Sequence, residues 1–137
     1  MAKSREAYVD TSALIAFIDR SDTFHPLFLR LFADPPQLVT TALVVSEGQA
    51  WLVRRYDTTR ALQFLAMVQE MRPLRILTVG RAEVAAAHTL LRKFSDQKLT
   101  LTDAMGLHIM QSRRVRICWS TDFHLGLTGI PLVIHAG

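Results

Sequence analysis

Four carboxylates are the side chains best placed to do chemistry in this sequence. Asp10 follows the apolar run Ala7-Tyr8-Val9, Glu47 lies inside a helical stretch, Asp103 stands at the head of another, and Asp122 follows Arg116-Ile117-Cys118-Trp119-Ser120. Three of them have an ordinary structural role open to them. Asp10 suits a helix N-cap, Asp122 a turn or cap, and Thr100-Leu101-Thr102-Asp103 fits the Ser/Thr-x-x-Asp/Glu capping box. Glu47 has no such local role. Its neighbours three and four positions away are Leu43, Val44, Ala50 and Trp51, an apolar stripe that faces a core, so Glu47 is expected to be the least solvated of the four acids. If the four converge, their mutual repulsion must be relieved by a proton or by a hard cation. Oxygen-only donors select Mg²⁺ or Mn²⁺.

Convergence depends on the elements that carry these acids. Short β-like runs alternate with longer helical ones. Strands are expected at Ala7-Tyr8-Val9, Leu38-Val39-Thr40, Arg75 to Val79, Arg116 to Ser120 and Leu132 to Ile134. Helices are expected from Ser12 to Asp19, Phe24 to Phe32, after Thr41, after Asp57-Thr58-Thr59, from Arg81 to Phe94 and from Thr102 to Arg113. This alternation predicts an α/β fold, a mainly parallel sheet of about five strands sandwiched between helices. Ligands of such sheets bind at the carboxyl ends of the strands, where the strand order reverses. Asp10 and Asp122 each follow a strand.

Length and composition bound the rest. The 137 residues, 50% apolar and 20% charged, correspond to one globular domain over residues 1–137. The lone cysteine, Cys118, excludes an intrachain disulfide and a Cys-rich zinc site. The longest apolar run near the N-terminus, Ala13 to Ile18, falls short of the ~20 residues a bilayer requires, so a cytoplasmic protein is expected. A net charge of +4, carried largely by arginine, suits phosphate contacts.

The phrases Tyr8-Val9-Asp10-Thr11-Ser12-Ala13-Leu14-Ile15, Glu47 in a helix, Leu101-Thr102-Asp103-Ala104 and Ser120-Thr121-Asp122 together resemble the PIN domain, and more narrowly the VapC-type toxin ribonucleases of toxin–antitoxin pairs. The resemblance runs over essentially the whole chain, in order. It implies a three-layer α/β/α sandwich with a metal-binding acidic pocket. It places Asp10, Glu47, Asp103 and Asp122 at the four acidic positions, Thr11 or Ser12 and Ser120 at supporting hydroxyl positions, and Asp96 as an outer acid. The implied reaction is Mg²⁺- or Mn²⁺-dependent hydrolysis of RNA to a 5′-phosphate and a 3′-hydroxyl. Asp10 and Asp103 would be the main ligands, Glu47 and Asp122 would assist, and Glu47 would serve as proton acceptor. The implied partners are RNA, a small VapB-type antitoxin and a second copy of the chain.

Two departures from the family pattern stand out. Gly48 sits inside a predicted helix, and Asp122-Phe123-His124-Leu125 replaces the more usual Asp-Arg-His-Phe, removing a basic residue beside the fourth acid. His124 is expected to be a surface turn histidine. Arg54, Arg55, Arg113, Arg114 and Arg116 are the candidate RNA contacts, expected to flank the acids. The alternatives are a standalone PIN-domain RNA-processing nuclease and a non-catalytic PIN-like module that binds RNA or protein. An aspartyl-phosphate phosphatase would need a second Asp where Ser12 stands.

Overall fold

The computed structural model describes residues 4–136. The elements run β1 (Ser4–Val9), α1 (Thr11–Ile18), α2 (His25–Ala33), β2 (Leu38–Thr41), α3 (Ala42–Arg55), α4 (Thr58–Glu70), β3 (Leu74–Leu77), α5 (Arg81–Lys93), α6 (Leu101–Arg113) and β4 (Val115–Trp119). Two 3-10 turns follow, Phe123–Gly126 and Val133–His135. Local chemistry sets several boundaries. Pro26 opens α2 where its missing N–H is harmless. Asp57 caps α4 by accepting from the Arg60 N–H at 2.8 Å, and Thr100 and Asp103 form the expected capping box on α6. None of the described helices is long and apolar enough to cross a membrane.

The sheet is parallel throughout, in the order β3-β2-β1-β4. Ala7, Tyr8 and Val9 of β1 and all four residues of β2 are buried whichever way they point, as expected for a sheet covered on both faces. On one face Tyr8 packs beneath α6, where Gly106 admits it: a Cβ there would come to 3.0 Å from the Tyr8 ring and from Leu125. On the other face Trp119 meets Phe28 and Phe32 of α2 edge-on, with ring centroids 6.4 and 4.9 Å apart. From β1 the chain moves outward to β2 and β3, and β4 then returns to the opposite side of β1. The reversal of strand order therefore falls between β1 and β4.

The expected α/β sandwich is borne out with four strands in place of about five. Leu132 to Ile134 does not form a strand. Leu132 makes an isolated bridge with Cys118, and Val133–His135 turns into a 3-10 helix. Pro131 immediately before it accepts from the Cys118 N–H but has no N–H of its own to extend a ladder.

Gly48 is a packing requirement of the α3–α4 contact. A Cβ at this position would lie 2.7 Å from Phe64 Cζ, and Phe64 is only 2% exposed, so its ring must shift to admit one. Gly48→Ala gains about 1 kcal/mol of helix propensity but forces the Phe64 ring out of its place, and such overpacking costs about 1–3 kcal/mol. The expected outcome is a net loss of stability, read as a lower denaturation midpoint with an unchanged slope. A stabilised variant would refute this packing account.

Candidate functional site

Asp10 directly follows β1 and occupies the N-cap position of α1, yet its side chain makes no capping bond. Its carboxylate turns inward and is 4% exposed. Oδ2 accepts from the hydroxyls of Ser12 at 2.8 Å and Ser120 at 2.9 Å. Each hydroxyl is fixed in turn by a backbone donor. The Thr121 N–H donates to Ser12 Oγ at 3.0 Å, and the Asp122 N–H donates to Ser120 Oγ at 2.9 Å. The network sews the carboxyl end of β1 to the segment after β4, at the reversal of strand order where the fold favours a ligand. Thr11 plays a different part: it is buried and its hydroxyl reaches the Val44 carbonyl at 3.5 Å, tying α1 to α3.

Burial pushes the Asp10 carboxyl up to about 6. The two serine hydroxyls oppose that rise and the nearby Asp103 charge adds to it. Asp103 uses Oδ2 to accept from the Thr100 N–H at 3.1 Å, and Oδ1 accepts none of the described hydrogen bonds. Asp122 receives both the backbone N–H of His124 at 3.0 Å and the His124 Nδ1 at 2.8 Å on Oδ1. Asp103, Asp122 and His124 bring one ligand-capable atom each to within 4.8 Å of one another. Two carboxylates converging beside a third, buried one form a donor set that fits a hard divalent cation.

Several sequence expectations are corrected by this geometry. Asp10, not Glu47, is the least solvated acid. Glu47 is half-buried, because the core stripe of α3 runs through Val44, Gly48 and Leu52 and leaves it on the flank. Neither Glu47 nor Asp10 completes a group of three at the spacing shared by Asp103, Asp122 and His124. His124 is no isolated turn residue but a half-buried partner of Asp122, a pairing signalled only by its two-residue offset from that acid. Asp96 lies exposed beyond α5 and contacts the Gln97 amide.

The arginines do not flank the acids. Arg113 lies ten residues beyond Asp103, about 15 Å along the helix. There it grips Glu6 of β1 through two hydrogen bonds of 3.0 and 2.7 Å. Arg114 ends the same helix and Arg116 lies early in β4, so all three stand at the opposite edge of the sheet from the acids. Arg54 and Arg55 are exposed in the last turn of α3, about 10 Å beyond Glu47. Three surface cavities of about 470, 500 and 290 Å³ have none of the four acids in their walls, though Phe123, next to Asp122, lines the third.

A pH dependence follows from Asp10. Its folded-state carboxyl, at about 6, stands above the unfolded value near 3.8. The folded state therefore binds the proton more tightly, and stability falls as pH rises through that window. In metal-free protein, Asp10→Asn removes this penalty while keeping the side chain's size. It is expected to be more stable than wild type at pH 7.5 by on the order of 2–3 kcal/mol, the advantage vanishing below about pH 4. Denaturation midpoints measured across pH in chelator check this. An advantage that persisted at pH 3 would refute the assigned cause.

The PIN domain profile matches residues 7–125, from within β1 to the turn that holds Asp122 and His124. No curated protein matches the sequence. Among solved structures the chain is similar to the crystal structure of Mycobacterium tuberculosis VapC20, a sarcin-ricin loop cleaving toxin, at 23% identity and a TM-score of 0.84, covering 93% of this chain and 98% of that one. It is also similar to a toxin–antitoxin complex from Klebsiella pneumoniae at 20% identity and a TM-score of 0.60, covering 91% and 92%. At these identities the likeness is one of fold. With the profile spanning most of its length and every acid of the site, the chain belongs to the PIN domain family.

Proposed function

We propose that this chain is a metal-dependent endoribonuclease that hydrolyses RNA phosphodiester bonds, and that it is the toxin of a type II toxin–antitoxin system. The observation that carries this reading is the joining of buried Asp10 to the Asp103–Asp122–His124 group where the strand order reverses. Membership of the PIN domain family and likeness in fold to a sarcin-ricin loop cleaving toxin and to a toxin–antitoxin complex support it. A small VapB-type antitoxin and a second copy of the chain are the proposed protein partners, and the cytoplasm is the compartment.

Asp10 and Asp103 would hold Mg²⁺ or Mn²⁺, with Asp122 and Glu47 assisting. When bound, such an ion acidifies water and offsets the charge that builds on the phosphate during in-line attack. The side chains supply the positioning. Ser12 and Ser120 fix the Asp10 carboxylate. The capping box fixes Asp103 through one oxygen, and His124 occupies Asp122 Oδ1, leaving Oδ2 to face a ligand. The proton-acceptor role expected for Glu47 rested on its being the driest acid. With Asp10 in that position, Glu47 remains an assisting group.

Purified protein is expected to cut single-stranded RNA in Mg²⁺ or Mn²⁺, to leave 5′-phosphate ends, and to stop in EDTA. Asp103→Asn keeps an acceptor for the helix cap while removing the charge. It should slow cleavage by more than the roughly 10–100-fold that loss of a ligand's supporting partner brings. Full-rate cutting in EDTA, or by Asp103→Asn, would refute the mechanism. Arg113→Ala should lower stability by about 1 kcal/mol through loss of the Glu6 pair, leaving the salt dependence of RNA binding unchanged. A shallower salt slope would show Arg113 to be a phosphate contact after all.

A further inference from the structure

With Arg113 committed to Glu6 and the other candidate arginines far from the acids, substrate contacts beside the acids must come from other residues. Phe123 supplies one. It follows Asp122 directly, stands where a basic residue is more usual, and is 65% exposed. A single apolar side chain at the surface calls for no explanation by itself. Two further observations set Phe123 apart. Its ring lies against that of His124, with centroids 4.1 Å apart and planes tilted by 30°, and His124 is anchored through both its backbone N–H and its ring to Asp122. The exposed ring is thus braced from behind rather than loose. Phe123 also walls a shallow depression of about 290 Å³ with Leu127, Ile130, Pro131 and His135.

We propose that Phe123, braced by His124, is the platform on which an unpaired nucleobase of the RNA strand stacks next to the phosphate to be cut. This rests on the nuclease reading above. The Phe123 ring lies against His124, which bonds Asp122 at 2.8 Å, so an occupant on its free face stays within a short linkage of the acids. A nucleobase attached to the scissile phosphate's own ribose fits there. Stacking on an aromatic face is the common means of holding single-stranded RNA, and it tolerates any base because every base has a π-face. The substrate class is accordingly single-stranded or looped RNA, with the base flanking the cut splayed out of any helix. Phe123 acts on binding and register, whereas the acids act on the bond.

The test uses the full-length protein and short single-stranded RNAs of mixed sequence, each with one position in turn made abasic. Binding is read by fluorescence anisotropy in EDTA, and cleavage in Mn²⁺. For wild type, one abasic position beside the cut should weaken binding by roughly five- to a hundred-fold, by nearly the same factor at low and high salt. Phe123→Ala should lose the same factor on intact RNA and become indifferent to that abasic position. Its KM for cleavage should rise with kcat little changed, and Phe123→Trp should restore affinity. Unchanged affinity and KM for Phe123→Ala, in a wild-type protein that does cut RNA, would overturn the platform and leave the nuclease reading intact. A changed oligomeric state or lost antitoxin binding with RNA affinity preserved would overturn it in favour of a protein contact. Wild-type protein that neither binds nor cuts these RNAs would overturn both readings.

Discussion

Placing the Asp10 carboxylate in the interior is the constraint on which the rest of the site depends. An acid 4% exposed loses most of its hydration, and an unpaired buried charge is expensive enough that a protein normally neutralises it or surrounds it with donors. Here two hydroxyls reach a single oxygen, and each hydroxyl is held by a backbone N–H from the segment after β4. That arrangement is available only if β1 and β4, with 110 residues separating Asp10 from Ser120, lie side by side. The compensation is incomplete, since the carboxyl still sits near 6 with Asp103 adding to the strain. The residue of unrelieved charge is what suits the site to a cation: a divalent ion relieves the repulsion that two serines cannot.

The other acids obtain their positions more cheaply, because each spends one oxygen on the fold and keeps the other for a ligand. Asp103 caps α6 through Oδ2, and Asp122 caps the turn beginning at Phe123 through Oδ1. Structural and chemical roles, which look like rival explanations when each acid is considered by itself, are in this molecule the same contacts. A helix cap holds a carboxylate rigidly at the end of an element. When that end lies at the carboxyl edge of a parallel sheet, the cap can serve as a ligand arm in the proposed metal site.

This overlap explains which parts of the molecule could be read in advance. Apolar periodicity and strand–helix alternation located every α-helix of the described residues, and the acids expected to follow strands do stand at the carboxyl edge of the sheet. The Leu132 to Ile134 segment failed as a strand because three apolar residues after Pro131 carry no period long enough to separate a strand from a tight turn. Glu47 was misjudged because neighbours at three and four positions define a stripe only to within a residue, and Gly48, not Glu47, lies at its centre. The direction of Glu47 depends on how α3 rolls against Phe64, a tertiary fact. The arginines were misplaced for a different reason: composition gives a net charge without a direction. The axis of α6 carries Arg113 away from the edge where Asp103 stands.

That separation bears on how an RNA strand would meet the protein in the proposed reaction. The chain carries a net charge of +4, so its long-range field attracts a polyanion. The edge bearing Asp10, Asp103 and Asp122 is nevertheless locally negative and would repel a phosphate at contact range. A surface that attracts at a distance and repels at the reacting point discriminates through whatever removes the local repulsion. In the proposed reaction that is the divalent ion, so approach of the phosphate and its activation depend on the same event. It follows that Arg54, Arg55, Arg113, Arg114 and Arg116 would not supply the phosphate contacts near the cut, contacts that elsewhere dominate affinity for nucleic acid. Contacts indifferent to charge must carry more of it, and beside these acids the exposed aromatic ring at Phe123 is such a contact.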